Sequence, residues 1–193
     1  MRLTDDEKAM LDGERGKATQ KAMDLLVRYA EALGAERFVD TRNVAGVPWS
    51  ANPFLQQYYS GKDAGGLDAI FSHFDLDSDE LVEVPQAIVP TWHLQGGADP
   101  LHRETLGVKV EVFRNYQERE AFAASHGVGI LKTCTPYLSG NVPARGEHLA
   151  WMESSAVIFA NSVLGARTNT EGRESTSAAM LTGKIPDWGL HRT

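Results

Sequence analysis

The feature that most constrains the fold is a succession of strand-like and helix-like apolar patterns after Gly107. Apolar residues at every second position are typical of strands, and apolar residues at every third or fourth position are typical of helices. On this basis the sequence predicts strands over 108–113 and 128–133 and helices over 116–125, 146–163 and 173–182. Strands that alternate with helices favour an α/β fold, with a mostly parallel sheet and flanking helices.

The amino-terminal part of the chain is predicted to be helical. Thr4 and Glu7 have the spacing of a capping box, which starts a first helix over about 5–12. A second helix, 17–33, has one apolar face and is ended by Gly34. A short strand is expected at 38–39. From 43 to 104 prolines and glycines interrupt the pattern, so we expect short elements between functional loops there.

Composition excludes several classes of protein. The net charge is −7 and the basic residues are scattered, which argues against a nucleic-acid partner. The longest apolar stretch is too short to span a bilayer, and the polar, acidic start of the chain is unlike a signal peptide. A single cysteine cannot form an internal disulfide, so we predict a cytoplasmic protein.

The common signatures of nucleotide binding, serine hydrolysis and zinc proteolysis do not occur in the sequence. The first remaining candidate is Cys134, which follows a predicted strand and lies between two threonines. Ligands in open α/β sheets bind beyond the carboxyl ends of strands, where this cysteine is expected. It could be a small buried apolar residue, a nucleophile with His148 as its base, or a metal ligand.

The second candidate is a polar stripe on the predicted helix 146–163. Residues seven apart on a straight helix drift by only about 20°, so two such series share one face. The series are Glu147, Ser154 and Asn161, and His148, Ser155 and Ser162. Small neutral side chains predominate towards the end of the stripe, which favours a ligand pocket over a solvated surface.

The third candidate is the segment 165–177, which contains Arg167 and Arg173 among hydroxyl and amide side chains. It directly precedes the start of a predicted helix. Guanidinium groups and free backbone N–H groups bind carboxylates and phosphates well. The segment therefore predicts an anion-binding loop, with a capped surface loop as the alternative.

These features, in this order, resemble the large subunit or large domain of the aconitase X family. The matching stretches are LTDDEKAMLDG (3–13), TCTPY (133–137), GN (140–141), GEHLAW (146–151), ESS (153–155), ANSVLGARTN (160–169), EGR (171–173) and GLH (189–191). They cover almost all of the second half of the chain, whereas 50–105 is not placed by the resemblance.

The resemblance implies a hydro-lyase that eliminates water from a small hydroxy acid. Of the known branches of the family we favour cis-3-hydroxy-L-proline dehydratase, because the sequence of 173–183 resembles that branch more. Mevalonate 5-phosphate dehydratase is the alternative. Family members hold an iron or iron–sulfur centre (2Fe-2S or 4Fe-4S) through three cysteines, and Cys134 corresponds to the first. The other two cysteine ligands do not occur in this chain. The resemblance therefore implies that residues 1–193 are the amino-terminal portion of a larger catalytic domain, and that this portion is inactive alone. It also implies a small swivelling subunit or domain as partner.

We accordingly predict a metal ligand, a catalytic group and a substrate-binding group. The metal ligand is Cys134, and the catalytic residues are Glu153, Ser154 and Ser155. The substrate-binding residues are Gly46, Val47, Asn161, Arg167, Thr168, Asn169 and Arg173.

Two rival functions remain open. A cysteine-nucleophile enzyme would use Cys134 with His148 and would need no iron. A non-catalytic carboxylate-binding fragment would use the arginine loop alone and would tolerate loss of Cys134.

Overall fold

The computed structural model describes residues 1–46, 89–92 and 101–192. Strands β1 (Phe38–Asp40) and β6 (Lys184–Pro186) pair antiparallel. Strands β2 (Asn43–Gly46), β3 (Val89–Trp92), β4 (Gly129–Ile130) and β5 (Leu149–Trp151) form a parallel sheet in the order β4–β3–β2–β5. The α/β fold with a mostly parallel sheet is therefore confirmed.

The helices of the described residues are α1 (Asp5–Leu11), α2 (Lys17–Leu33), α3 (Val110–Ser125), α4 (Ser154–Phe159) and α5 (Arg173–Thr182). A π-helical turn, Ala160–Leu164, continues α4. Two 3₁₀ turns occur at Pro136–Leu138 and Gly189–His191. No helix in the described part of the chain is long and apolar enough to cross a membrane.

The predicted amino-terminal helices are confirmed. The Thr4 hydroxyl accepts a hydrogen bond from the Glu7 backbone N–H at 3.3 Å, and the Glu7 carboxylate accepts one from the Thr4 N–H at 2.8 Å. This reciprocal pair satisfies two of the donors that a helix start leaves free. Helix α2 ends at Gly34, whose φ of 71° lies in the left-handed region that suits glycine. The final predicted helix, α5, ends in the same way at Gly183.

Each face of the parallel sheet packs against a different set of apolar residues. On one face, Val44 and Ala150 join the main core, which is formed largely by α2 and α5. On the other face, Ala45, Leu149 and Trp151 pack against α4. The rings of Tyr137 and Phe159 stack on that side with centroids 3.9 Å apart. Strands β2 and β5 are thus buried on both faces, as strands of parallel sheets generally are.

The predicted continuous helix over 146–163 is wrong. Its first part contains strand β5, all three of whose residues are completely buried, and the helix begins only at Ser154. A strand buried on both faces has a continuous apolar sequence, which periodicity cannot distinguish from part of a buried helix. The polar stripe predicted on this helix therefore does not exist, because Glu147 and His148 precede strand β5 whereas Ser154 and Asn161 follow it.

The predicted strand over 108–113 is also wrong, because α3 begins at Val110. Six alternating residues are a short signal, and no glycine or proline separates them from the helical pattern that follows. The strand predicted over 128–133 is confirmed only at Gly129–Ile130, the two residues of β4. Val47 and most of the weakly patterned region from 43 to 104 lie outside the described residues.

Candidate functional site

The carboxyl ends of the parallel strands bring two predicted site residues together. Cys134 follows β4 and Glu153 follows β5, although these strands are at opposite edges of the sheet. The Cys134 thiol hydrogen-bonds to the Glu153 side chain, so the segment after β4 reaches across to the end of β5. The sequence predicted that Cys134 lies at this edge, and the family resemblance named Glu153, but neither predicted that the two side chains interact.

The environment of Cys134 keeps its thiol protonated. Its side chain is exposed, but partial desolvation raises the pKa of the thiol, and the charge and hydrogen bond of Glu153 raise it further. A cysteine nucleophile needs the opposite, a lowered pKa and a nearby base. His148 does not supply that base, because it lies at the other end of β5 and its Nδ1 is 3.0 Å from Nδ1 of His191. The geometry therefore does not favour the cysteine-nucleophile alternative.

Ser154 and Ser155 are exposed in the first turn of α4, directly after Glu153. Glu153 is the N-cap residue of this helix, but its side chain makes no capping hydrogen bond. Its carboxylate is therefore directed to the Cys134 thiol instead of the helix backbone. The hydroxyls of both serines are in a position where a ligand at the carboxyl edge could reach them.

Gly46 ends β2 at the same edge, and its lack of a side chain is a packing requirement. A Cβ atom at this position would fall on the side chain of Thr176 in α5, with Thr176 Cγ2 only 2.8 Å away. The Thr176 hydroxyl in turn donates to the carbonyl of Gly172 at 2.9 Å. The glycine thus lets the end of β2 approach the first turn of α5.

The two arginines of the predicted anion loop lie at different ends of β5. Residues 167–170 run parallel to that strand, with bridges from Arg167 to His148 at its start and from Thr170 to Trp151 at its end. Arg173 is the first residue of α5, beyond the carboxyl end. Arg167 lies at the amino end, where its Nη1 donates to the carbonyl of His191 at 3.3 Å. The structure thus places the two arginines at opposite ends of the strand, and their contact with an anion stays a prediction.

The predicted polar lining residues Asn161, Thr168 and Asn169 bind the main chain. The Asn161 amide donates to the Thr168 carbonyl at 2.8 Å and accepts from the Thr168 N–H at 3.1 Å. The Thr168 hydroxyl, which is fully buried, donates to the Asn169 carbonyl. The Asn169 amide donates to the Trp188 carbonyl and accepts from the Leu190 N–H, both at 3.0 Å. These contacts fix the segment beside β5, and contact of these residues with substrate stays a prediction.

A buried amide pair anchors the segment between β4 and β5 and was missed by sequence reasoning. Asn43 Nδ2 donates to Asn141 Oδ1 at 2.6 Å, and Asn141 Nδ2 donates back to Asn43 Oδ1 at 3.0 Å. The Trp151 indole N–H also donates to Asn43 Oδ1, at 2.9 Å. A polar residue such as Asn43 at the start of a buried apolar strand indicates that its side chain needs a hydrogen-bond partner. The sequence does not reveal that Asn141 is this partner.

Glu171 is a second residue that sequence reasoning missed. It is 4% exposed and precedes α5, and its backbone N–H donates to the Trp151 carbonyl at 2.9 Å. Burial raises the pKa of its carboxyl group, and hydrogen bonds from Ser175 and Tyr29 lower it, which partly offsets the effect of burial. Burial, and then the charge of Glu171, raise the pKa of Tyr29. The pair connects α2 to the start of α5, behind the carboxyl edge.

The described residues contain no group of three or more histidine, cysteine or acidic side chains that could hold a metal ion. Cys134 nevertheless fits the role of one ligand among several, because its sulfur is exposed and follows a strand at the carboxyl edge. Iron–sulfur clusters require several thiolates. Such a centre would therefore need further ligands from beyond the described residues.

Comparisons with known proteins agree with the resemblance seen in the sequence. The family model "Aconitase X first domain" matches residues 1–193. The phosphomevalonate dehydratase large subunit of Thermococcus kodakarensis is 37% identical over 99% of this chain, which covers 43% of that protein. The cis-3-hydroxy-L-proline dehydratase of Hypocrea jecorina is 33% identical over 98% of this chain, which covers 29% of that protein.

The fold is also similar to a solved structure. The crystal structure of Thermococcus kodakaraensis aconitase X in its holo-form superposes with a TM-score of 0.65 at 34% identity. It covers 99% of this chain, and this chain covers 43% of it. The chain thus spans less than half the length of these relatives. Because the family model covers every residue, the chain belongs to the aconitase X family.

Proposed function

We propose that this chain is the amino-terminal portion of the catalytic domain of a hydro-lyase that dehydrates a small hydroxy acid. The observation that carries the proposal is the contact between Cys134 and Glu153, beside two exposed serines at the carboxyl edge. Ligands of open parallel sheets bind at this edge. The relatives that match nearly the whole chain are named dehydratases.

Each residue has a defined task in this proposal. Cys134 is one ligand of an iron or iron–sulfur centre whose other ligands lie outside 1–193, and such a centre supplies a Lewis acid for the leaving hydroxyl. The Glu153 carboxylate, which accepts the hydrogen bond of the Cys134 thiol, exchanges a proton with the substrate in this proposal. The hydroxyls of Ser154 and Ser155 donate hydrogen bonds to the substrate, and the Arg173 guanidinium binds its carboxylate.

Two substrates are consistent with the relatives. Mevalonate 5-phosphate is favoured by the identity of 37% to a phosphomevalonate dehydratase large subunit. The 33% identity to a cis-3-hydroxy-L-proline dehydratase supports the second candidate, which the sequence of 173–183 favoured. The name "large subunit" supports an assembly with a separate small subunit. We propose that this partner is the small swivelling subunit or domain and that the assembly is cytoplasmic.

The test is an anaerobic dehydration assay on the full-length protein that contains this chain, combined with its small subunit. Both mevalonate 5-phosphate and cis-3-hydroxy-L-proline are offered, and water elimination is followed by mass spectrometry of the product. Glu153→Gln should lower kcat by at least about 100-fold, which is the low end for a general acid–base group. The control Gln117→Ala, on exposed helix α3, should retain full activity. Turnover of neither substrate, or full activity of Glu153→Gln, would contradict the proposal.

A further inference from the structure

A polar cavity lies at the amino end of β5, where the β1–β6 pair approaches the parallel sheet. Its volume is about 410 Å³. The end of β5 that it borders is the one opposite Glu153, since His148 immediately precedes the strand and Glu153 follows it. The charged and titratable lining residues are Arg2, Glu36, Arg37, His148, Arg167, Asp187, His191 and Arg192.

The cavity is positively charged in a chain whose net charge is −7. Its lining contains four arginines and two carboxylates, which gives a formal charge of +2 when both imidazoles are neutral. Glu36 pairs with Arg2 at 3.2 Å, and Asp187 pairs with Arg37 at 2.8 Å. A concave surface with an excess of one charge concentrates counter-ions of the opposite sign. The cavity should therefore attract small anions.

Arg167 is the cation in this lining that no carboxylate neutralises within the described residues. The described hydrogen bond of its guanidinium group runs from Nη1 to the His191 carbonyl, at 3.3 Å. By contrast, Arg192 lies 3.8 Å from the Asp187 carboxylate and donates from Nε to the Asp187 carbonyl at 2.8 Å. A guanidinium has five N–H donors in a fork that matches carboxylate and phosphate oxygens. Arg167 thus retains the donors that an oxyanion needs.

The two histidines form a polar pair in the wall of the cavity. His148 Nδ1 and His191 Nδ1 are 3.0 Å apart, so one ring must donate its proton and the other must accept it. His191 is 1% exposed, and its Nε2 atom has no hydrogen-bond partner among the described residues. A buried polar atom without a partner is uncommon in folded proteins and is explained by strain, by a functional role, or by a bound water molecule or ion.

The positive charge of Arg167 also disfavours protonation of His148 and His191. Burial, and then the charges of His148 and Arg167, lower the pKa of His191 to about 4, although Asp187 acts in the opposite direction. Burial and the charge of Arg167 lower the pKa of His148, again against Asp187. A bound anion would offset the arginine charge and raise both pKa values. Binding and proton uptake should therefore be coupled.

We propose that this cavity is a binding site for a small oxyanion, a phosphate or carboxylate group, held principally by the Arg167 guanidinium beside the His148–His191 pair. Arg37, which precedes β1, and Arg192, which follows the last 3₁₀ turn, also line the cavity. The site is independent of the proposed dehydratase activity, since neither Cys134 nor Glu153 lines it.

The test is calorimetric titration of the purified full chain with inorganic phosphate, and separately with succinate, at constant ionic strength. We expect saturable one-to-one binding to at least one of the two, which distinguishes a phosphate from a carboxylate site. Arg167→Gln should weaken binding at least tenfold, because a charge-assisted fork is lost, and Arg167→Lys should weaken it less. Arg114→Gln, which removes the same charge from an exposed position of α3, should bind like the wild type.

Proton uptake provides the second readout. Titrations at pH 8, 7 and 6 in buffers with different ionisation enthalpies should show tighter binding and a larger proton uptake at lower pH. Circular dichroism and the thermal midpoint without anion establish that each variant is folded. Absence of saturable binding to either anion, equal affinity in wild type and Arg167→Gln, or an equal loss in Arg114→Gln would overturn the proposal.

Discussion

Replacing Asn141 by alanine should destabilise the segment that carries Cys134. The side chains of Asn43 and Asn141 are 3% and 4% exposed, and each amide donates to the other, at 2.6 and 3.0 Å. Truncation of Asn141 removes both hydrogen bonds and leaves Asn43 Nδ2 buried without its described acceptor. Asn43 Oδ1 retains the Trp151 indole N–H at 2.9 Å.

The magnitude follows from these contacts. A buried donor left without a partner costs about 1–3 kcal/mol, and loss of the second hydrogen bond adds about 1 kcal/mol. We therefore expect the free energy of unfolding to fall by about 2–4 kcal/mol in Asn141→Ala. Asn43→Ala breaks the same two bonds, so the double variant should cost less than the sum of the single variants by about 1–2 kcal/mol.

Urea unfolding, followed by tryptophan fluorescence and circular dichroism, measures each variant. The control is Gln117→Ala, which truncates an exposed amide on α3 and should change stability by less than about 0.5 kcal/mol. The reasoning is refuted if Asn141→Ala behaves like this control. It is also refuted if the two single variants are additive, since the amides would then not depend on each other.

Three further predictions concern other parts of the chain. Gly46→Ala should lower the free energy of unfolding by about 1–3 kcal/mol in urea, because its Cβ would overlap Thr176; an unchanged midpoint would be inconsistent with that contact. The pKa of His191 is lowered to about 4 from an ordinary 6.5, so the folded chain binds fewer protons than the unfolded chain as the pH falls. The stability that the neutral imidazole contributes is therefore fully present above pH 6.5 and is lost as the pH falls towards 4. The loss should reach about 3 kcal/mol and be smaller in His191→Gln, and parallel pH profiles of the two would exclude the effect. In the iron-free chain, Glu153→Gln should speed alkylation of Cys134 at pH 8 severalfold, because removal of the carboxylate lowers the thiol pKa; an unchanged rate would show that desolvation alone raises it.

The parts of the fold that sequence predicts well are those with local signals. Helix α2 has a one-sided apolar pattern, and glycine in the left-handed conformation ends both α2 and α5. Strand β5 was mistaken for helix because it is buried on both faces and is too short for its period to be measured. The antiparallel pairing of β1 with β6 joins residues almost 150 positions apart and has no local signal.

The candidate site shows the same division. Cys134 was predicted because ligands of open parallel sheets bind beyond strand ends, whereas Glu153 entered the prediction only through the family resemblance, since its strand was taken for helix. Arg167 and Arg173 were grouped because they are six residues apart in sequence, but the intervening segment is extended along β5 and separates them. The cavity at the amino end of β5 could not be predicted, since its lining comes from five separate parts of the chain: Arg2, residues 36–39, His148, Arg167 and residues 187–192.

The central claim is that Cys134 is a ligand of an iron centre at the carboxyl edge. The most direct measurement is the iron and acid-labile sulfide content of the full-length protein that contains this chain, purified anaerobically as wild type and as Cys134→Ser. The account predicts iron in the wild type, with visible absorption from the thiolate-bound centre, and a marked loss of both in Cys134→Ser while circular dichroism is unchanged. Equal iron content in the two proteins, or an iron-free wild type with Cys134 intact, would contradict it.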